Sequence, residues 1–106
     1  MKQPFFSENW SDENENPAGG VASGRGFTIS WQNGPLGRDE NRREPNGAFV
    51  ETIIAAACER IIFYQQSRFN CEENQQAVEY LVKALETLDS RTKNREARLV
   101  EGTHAE

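Results

Sequence analysis

The sequence predicts an α+β protein: a small N-terminal antiparallel β element followed by a long antiparallel two-helix hairpin, assembled as a homo-oligomer. Three observations carry this prediction. Phe27-Thr28-Ile29-Ser30-Trp31-Gln32 alternates apolar and polar residues, so Phe27, Ile29 and Trp31 share one face of a half-buried strand. Val78, Leu81, Leu85 and Leu88 recur at spacings of three and four, the stripe of an amphipathic helix. A second helical pattern, Val50, Ile54, Ala57, Ile61 and Tyr64, ends only a few residues before that helix begins, which makes an antiparallel hairpin the natural result.

In chain order, residues 1–25 are rich in Asn, Glu, Asp, Ser, Gly and Pro and are expected to be a flexible acidic arm. Its aromatics Phe5, Phe6 and Trp10 either dock on a partner subunit or are incidental. The domain proper is expected over 26–104. Its β element covers 26–45: the strand above, the turn Asn33-Gly34-Pro35, and a charged loop over 39–45 ending in Glu44-Pro45. The hairpin covers 46–98. Asn46 reads as the N-cap of a helix beginning near Gly47 or Ala48 and running to about Ser67. Phe49, Ile53, Cys58 and Ile62 flank its apolar line, and Ala55-Ala56-Ala57 slims it. Asn70 and Glu73 read as a capping box for a second helix from Cys71 to about Arg98. A tail motif covers 99–104, with Gly102 as a break.

The apolar arc of the first helix is too wide for one partner helix and one small strand to cover, which argues for a second subunit. Composition narrows the partners. The chain has 106 residues and is acidic, with 17 Asp+Glu against 12 Lys+Arg and a formal charge of −5. That is the opposite of a DNA- or RNA-polymer binder, which carries a concentrated cationic stripe. No apolar run is long enough to span a membrane, and no signal-peptide h-region follows the N-terminus, so a cytoplasmic protein is expected. The two cysteines, Cys58 and Cys71, fall at different heights of the hairpin and are expected as free thiols. Neither metal-ligand spacing nor a cofactor fingerprint is present.

The residues favour binding over catalysis. The single histidine, His104, lies in the tail without an orienting carboxylate, and neither cysteine has the sequence context of a reactive thiol. The apolar stripe of the second helix begins near Asn74 and continues into Arg91 or Thr92, then Arg95 and Arg98. Arginines there either complement the helix dipole or clamp an anionic ligand. Tyr64, near the bend, is either an interfacial core residue or a platform for stacking a base. Asn74 either faces solvent or reads a base edge. At helical rise Asn74 and the arginines stand about 30 Å apart, so they cannot meet within one subunit. In an antiparallel dimer of hairpins, the bend of one chain lies beside the far end of the other and a composite site results.

Three segments carry a family resemblance. They are Gly26-Phe27-Thr28-Ile29-Ser30-Trp31-Gln32-Asn33-Gly34-Pro35-Leu36-Gly37-Arg38, then Glu44-Pro45-Asn46-Gly47-Ala48-Phe49-Val50-Glu51, then Arg91-Thr92, Arg95-Glu96 and Val100-Glu101-Gly102-Thr103-His104. Together they span residues 26–104 and resemble phage anti-Thoeris sponge proteins, which share their helical hairpin domain with anti-CBASS phage sponges. The resemblance implies a non-enzymatic, cofactor-free sponge acting in the host bacterial cytoplasm. It would bind cyclic ADP-ribose isomers and hold them uncleaved; some members also take cyclic di- or trinucleotides. Members form dimers, and some form hexamers. By position, the implied ligand contacts are Arg38, Tyr64, Asn74, Arg91, Arg95 and Thr103: Tyr64 stacks, Asn74 reads the base edge and the arginines clamp the pyrophosphate. The chain departs from the pattern at Leu99, where glycine is usual, at Tyr64, where another aromatic is usual, and in its acidic arm. The alternative to a sponge is a protein-interaction module that inhibits a host protein directly through the hairpin and the arm's aromatics. A hydrolase is disfavoured, since no nucleophile or general-base pair is visible.

Overall fold

The computed structural model describes residues 2–37 and 39–97. These form two compact units, one running up to Phe49 and one spanning Val50–Ala97. The first is a three-stranded antiparallel sheet in the order β1 (Phe5–Ser11), β2 (Pro17–Gly24), β3 (Phe27–Trp31). The second is a hairpin of α1 (Val50–Gln65) and α2 (Glu72–Ala97). The expected order, β before a helical hairpin, is therefore present.

The N-terminal segment corrects the expectation of a loose arm: two of the three strands lie within residues 5–24. Local chemistry explains why. The Asp12 carboxylate accepts the backbone N–H groups of Asn14 at 2.8 Å and Asn16 at 3.0 Å. Backbone bonds Asp12 N–H to Asn16 carbonyl (2.9 Å) and Glu15 N–H to Asp12 carbonyl (3.0 Å) close the loop. The polar run Asp12–Asn16 is thus an Asx-type turn, not a solvated linker. Pro17 stands at the first position of β2, where a missing N–H is tolerated. Arg25 and Gly26 form the two-residue turn into β3, with Gly26 at φ 84°.

The small residues of Pro-Ala-Gly-Gly-Val-Ala-Ser-Gly, which dilute any strand signal, suit β2 to the middle of the sheet. Its neighbours supply the bulk. Register pairs Gly24 with Phe5 on one side and Phe27 on the other. The two rings meet over it, 6.3 Å between centroids, and a Cβ at Gly24 would stand 2.7 Å from the Phe27 ring. Aromatic side chains covering a strand glycine are a known stabilising device.

Asn46 is not a helix N-cap. Its side-chain oxygen accepts the Asn33 backbone N–H at 2.8 Å, its amide nitrogen donates to the Asn33 carbonyl at 3.1 Å, and its own N–H donates to the Gln32 side chain at 2.9 Å. Ala48 continues this contact by bonding Ser30 and Gln32 as a parallel bridge opposite Trp31. Residues 46–48 are thereby held at the end of β3, and α1 starts later than expected, at Val50.

Within the hairpin, the line of α1 turned from solvent runs through Glu51, Ile54, Cys58, Ile61 and Gln65, with Ile53 beside it; that of α2 runs through Asn74, Val78, Leu81, Leu85, Leu88 and Thr92, with Ala77 and Ala84 beside it. Both alternate steps of three and four, the seven-residue period of coiled-coil packing. The α2 stripe is as expected. The α1 line is rotated: Val50, Ala57 and Tyr64, expected on the packed face, are exposed, and Cys58, expected at its flank, is the buried centre. The capping box is also corrected. Cys71, not Asn70, caps α2: its sulfur accepts the Asn74 N–H at 3.4 Å and its carbonyl accepts the Gln75 N–H at 3.2 Å. Gln65 clamps this cap from the end of α1, donating to the Cys71 carbonyl and accepting the Cys71 N–H, both at 3.0 Å. Replacing Gln65 with Ala removes both bonds and is expected to lower the unfolding free energy by about 1–2 kcal/mol in denaturant titration, with the helix content of the folded protein unchanged.

Both cysteines are free thiols, as expected, with Cys58 buried and Cys71 exposed. Among the described residues only Gly19, Gly20 and Ala22 of β2 and Cys58 of α1 are buried. Large apolar side chains stay open to solvent on both units: Phe5, Phe6, Trp10 and Phe27 on the sheet, Val50, Ile62, Phe63, Tyr80 and Val82 on the helices, and Phe69 in the bend between them.

Candidate functional site

The helical hairpin carries ligand-type side chains at its two ends. At the bend, Tyr64 lies in the last turn of α1 and is 39% exposed rather than packed between the helices. Its backbone carbonyl is held by the Ser67 N–H at 3.0 Å and the Ser67 hydroxyl at 2.5 Å, which fixes the helix end beneath the ring. Its phenol oxygen accepts a hydrogen bond from Arg60 Nε at 3.2 Å. The Arg60 guanidinium also stands 5.1 Å from the Tyr64 ring centroid and 5.0 Å from that of Phe63. Phe63 and Tyr64 tilt against each other at 52° with centroids 6.1 Å apart. The result is a compact aromatic patch with a cation bound to it.

Asn74, in the first turn of α2, is half-buried on the packed face rather than turned fully to solvent. Its backbone is fixed by the Cys71 cap. Arg91 sits at the other end of the hairpin, about 25 Å from Asn74 at helical rise. The packed stripe continues through Thr92, so Arg91 is displaced from it and its side chain is 55% exposed. Its guanidinium lies 3.7 Å from the Glu51 carboxylate on the first turn of α1. An ion pair this long and open contributes little to stability and leaves most donors of the guanidinium accessible.

Tyr64 and Asn74 therefore flank the same bend, while Arg91 does not join them within one chain. Arg95 belongs to α2, but its side chain lies outside the described residues. Arg38 and Thr103 lie outside them altogether, as does His104. No group of three or more His, Cys, Asp or Glu among the described residues could hold a metal ion. No helix there is long and apolar enough to cross a membrane.

No family model matches the chain. "Thoeris anti-defense 1" of Bacillus phage SBSphiJ7 is 40% identical to it over 82 residues. The chain belongs to the anti-Thoeris family. The match covers 77% of this chain and 55% of that relative, so the chain spans about half the length of the family member it matches.

Anti-Thoeris membership accords with the resemblance carried by the three sequence segments. What the implied set of ligand contacts does not include is Arg60 and Glu51, two residues that touch members of that set directly. A signal for each exists in this anti-Thoeris chain. Arg60 precedes Phe63 and Tyr64 by three and four residues, the helical spacing that brings side chains together. Glu51 lies in the first turn of α1, which an antiparallel hairpin sets opposite the later part of α2.

Proposed function

We propose that the chain is a phage anti-Thoeris sponge: it binds cyclic ADP-ribose-type signalling nucleotides in the infected host's cytoplasm, holds them without cleaving them, and so blocks Thoeris immunity. The observation that carries this reading is the split arrangement on the hairpin. An exposed aromatic and an amide flank the bend, and an accessible guanidinium stands at the opposite end, in a member of a family with a relative named for anti-Thoeris defence. A nucleotide with a base and a pyrophosphate needs both kinds of group. Two hairpins lying head to tail supply them together, Tyr64 and Asn74 from one protomer and Arg91 with Arg95 from its partner. The apolar side chains left open on the helices, Val50, Ile62, Tyr80 and Val82 among them, support a second copy. Arg38 and Thr103 are further proposed contacts from the sequence motifs that contain them.

Calorimetry against a panel of cyclic ADP-ribose isomers and cyclic di- and trinucleotides, with native mass measurement, tests the proposal. The expected result is a dimer or higher assembly that binds at least one cyclic ADP-ribose isomer and returns it chemically intact after heat denaturation. Altered ligand, or no binding across the panel, overturns it. Glu51→Gln is expected to tighten binding by about two- to fivefold, since it removes a carboxylate that competes with phosphate for Arg91, and to change thermal stability little.

The second reading is direct inhibition of a host protein. The exposed aromatics Phe5, Phe6 and Trp10 of β1 favour it. Because β1 and β2 are integral to the sheet, the separating variant is Phe6→Ser with Trp10→Ser rather than a deletion. A sponge keeps its nucleotide affinity in that variant; an inhibitor built on those aromatics loses its anti-defence effect.

A further inference from the structure

Arg60 stands out because it contacts Tyr64 in two ways at once. Its Nε donates to the phenol oxygen at 3.2 Å, and its guanidinium carbon lies 5.1 Å from the ring centroid. The same guanidinium lies 5.0 Å from Phe63, which ties it to a second ring. An aromatic on an open helix surface, without packing around it, exchanges between rotamers and must be ordered each time a ligand arrives. Ordering a side chain on binding subtracts from affinity, and holding it beforehand removes that loss.

We propose that Arg60 is a positioning residue for base recognition. It anchors the Tyr64 ring by its hydroxyl and from one side, so that the other side is presented to a nucleobase in a fixed orientation. The inference rests on Tyr64 being the stacking aromatic of the proposed sponge. Its chemistry explains why this position uses tyrosine: the hydroxyl gives Arg60 a handle that phenylalanine lacks, and the cation beside the ring strengthens its hold on the aromatic face. Arg60 acts through Tyr64 and need not touch the ligand.

A double-mutant cycle tests this, using the full chain and the cyclic ADP-ribose isomer bound most tightly in the panel. Arg60→Lys keeps the charge but loses the Nε donor, and Tyr64→Phe keeps the ring but loses the hydroxyl. Each is expected to weaken binding about five- to tenfold, and the double variant no more than either single one. Additive losses, or an Arg60→Lys protein that binds as tightly as the wild type, overturn the proposal. Should Arg60→Lys alter the native mass, Tyr64→Phe decides alone: unchanged affinity overturns the proposal. Tyr64→Ala separates this failure from failure of the underlying reading. If Tyr64→Ala leaves binding intact, the stacking role itself is wrong; if Tyr64→Ala weakens binding while Arg60→Lys is neutral, only the positioning role is wrong.

Discussion

Arg91→Ala is expected to weaken binding of cyclic ADP-ribose isomers by about 30- to 300-fold while leaving the fold and the native mass unchanged. The magnitude follows from loss of charge-assisted hydrogen bonds to a pyrophosphate, about 2–3 kcal/mol. The fold should tolerate the change because the Arg91–Glu51 pair is 3.7 Å long and both side chains are partly exposed, so its contribution to stability is small. Arg91→Lys separates charge from geometry. A lysine keeps the attraction but cannot reproduce the planar fork, so an intermediate loss is expected. The wild type should also lose affinity as salt rises, and Arg91→Ala should show a shallower dependence, since one phosphate contact has gone. Calorimetry at two ionic strengths checks both effects. An Arg91→Ala protein that binds normally removes the clamp from the proposal.

Tyr64→Ala is expected to cost about 10- to 100-fold in affinity, the equivalent of about 1–3 kcal/mol for one stacked base. Unlike the arginine variant, it should leave the salt dependence as it is in the wild type. The ring is 39% exposed and lies outside the packed face of α1, so its truncation creates no cavity between the helices and should not lower the melting temperature. If affinity falls only in step with stability, Tyr64 is acting as a structural residue.

The helical hairpin is largely legible in the sequence because its periodicity is strong. Val78, Leu81, Leu85 and Leu88 fix the packed face of α2 without ambiguity, and the structure keeps them together there. On α1 the same method misplaces the face, because apolar residues occur nearly all round the helix. Glu51, Cys58 and Gln65 take the packed positions, where an acid, a thiol and an amide carry little hydrophobic signal, while Val50, Ala57 and Tyr64 go outward. Local hydrogen bonding is harder still. Asn46 and Asn70 both precede helices and read as caps, yet Asn46 is bonded to Asn33 and Cys71 takes the cap of α2. The sheet is missed for a different reason. Polar and glycine-rich residues over 5–24 look like an arm because β2 is small and the bulk lies on its neighbours, a cross-strand arrangement that no local window contains. Of the candidate ligand contacts, Tyr64 and Asn74 flank the bend and Arg91 stands at the opposite end of the hairpin; the Arg60–Tyr64 contact is legible from its spacing of four residues, whereas the Glu51–Arg91 contact depends on the register of the hairpin, which no local window contains.

The composite site makes a sharper demand than any single variant. Tyr64→Ala and Arg91→Ala proteins are each expected to bind poorly, yet a mixed dimer contains one site with its tyrosine from the Arg91→Ala chain and its arginine from the Tyr64→Ala chain. Mixing the two under conditions where native mass measurement shows chain exchange should restore about a quarter of the wild-type number of sites at wild-type affinity. Full exchange with no recovered binding would contradict a site shared between head-to-tail hairpins.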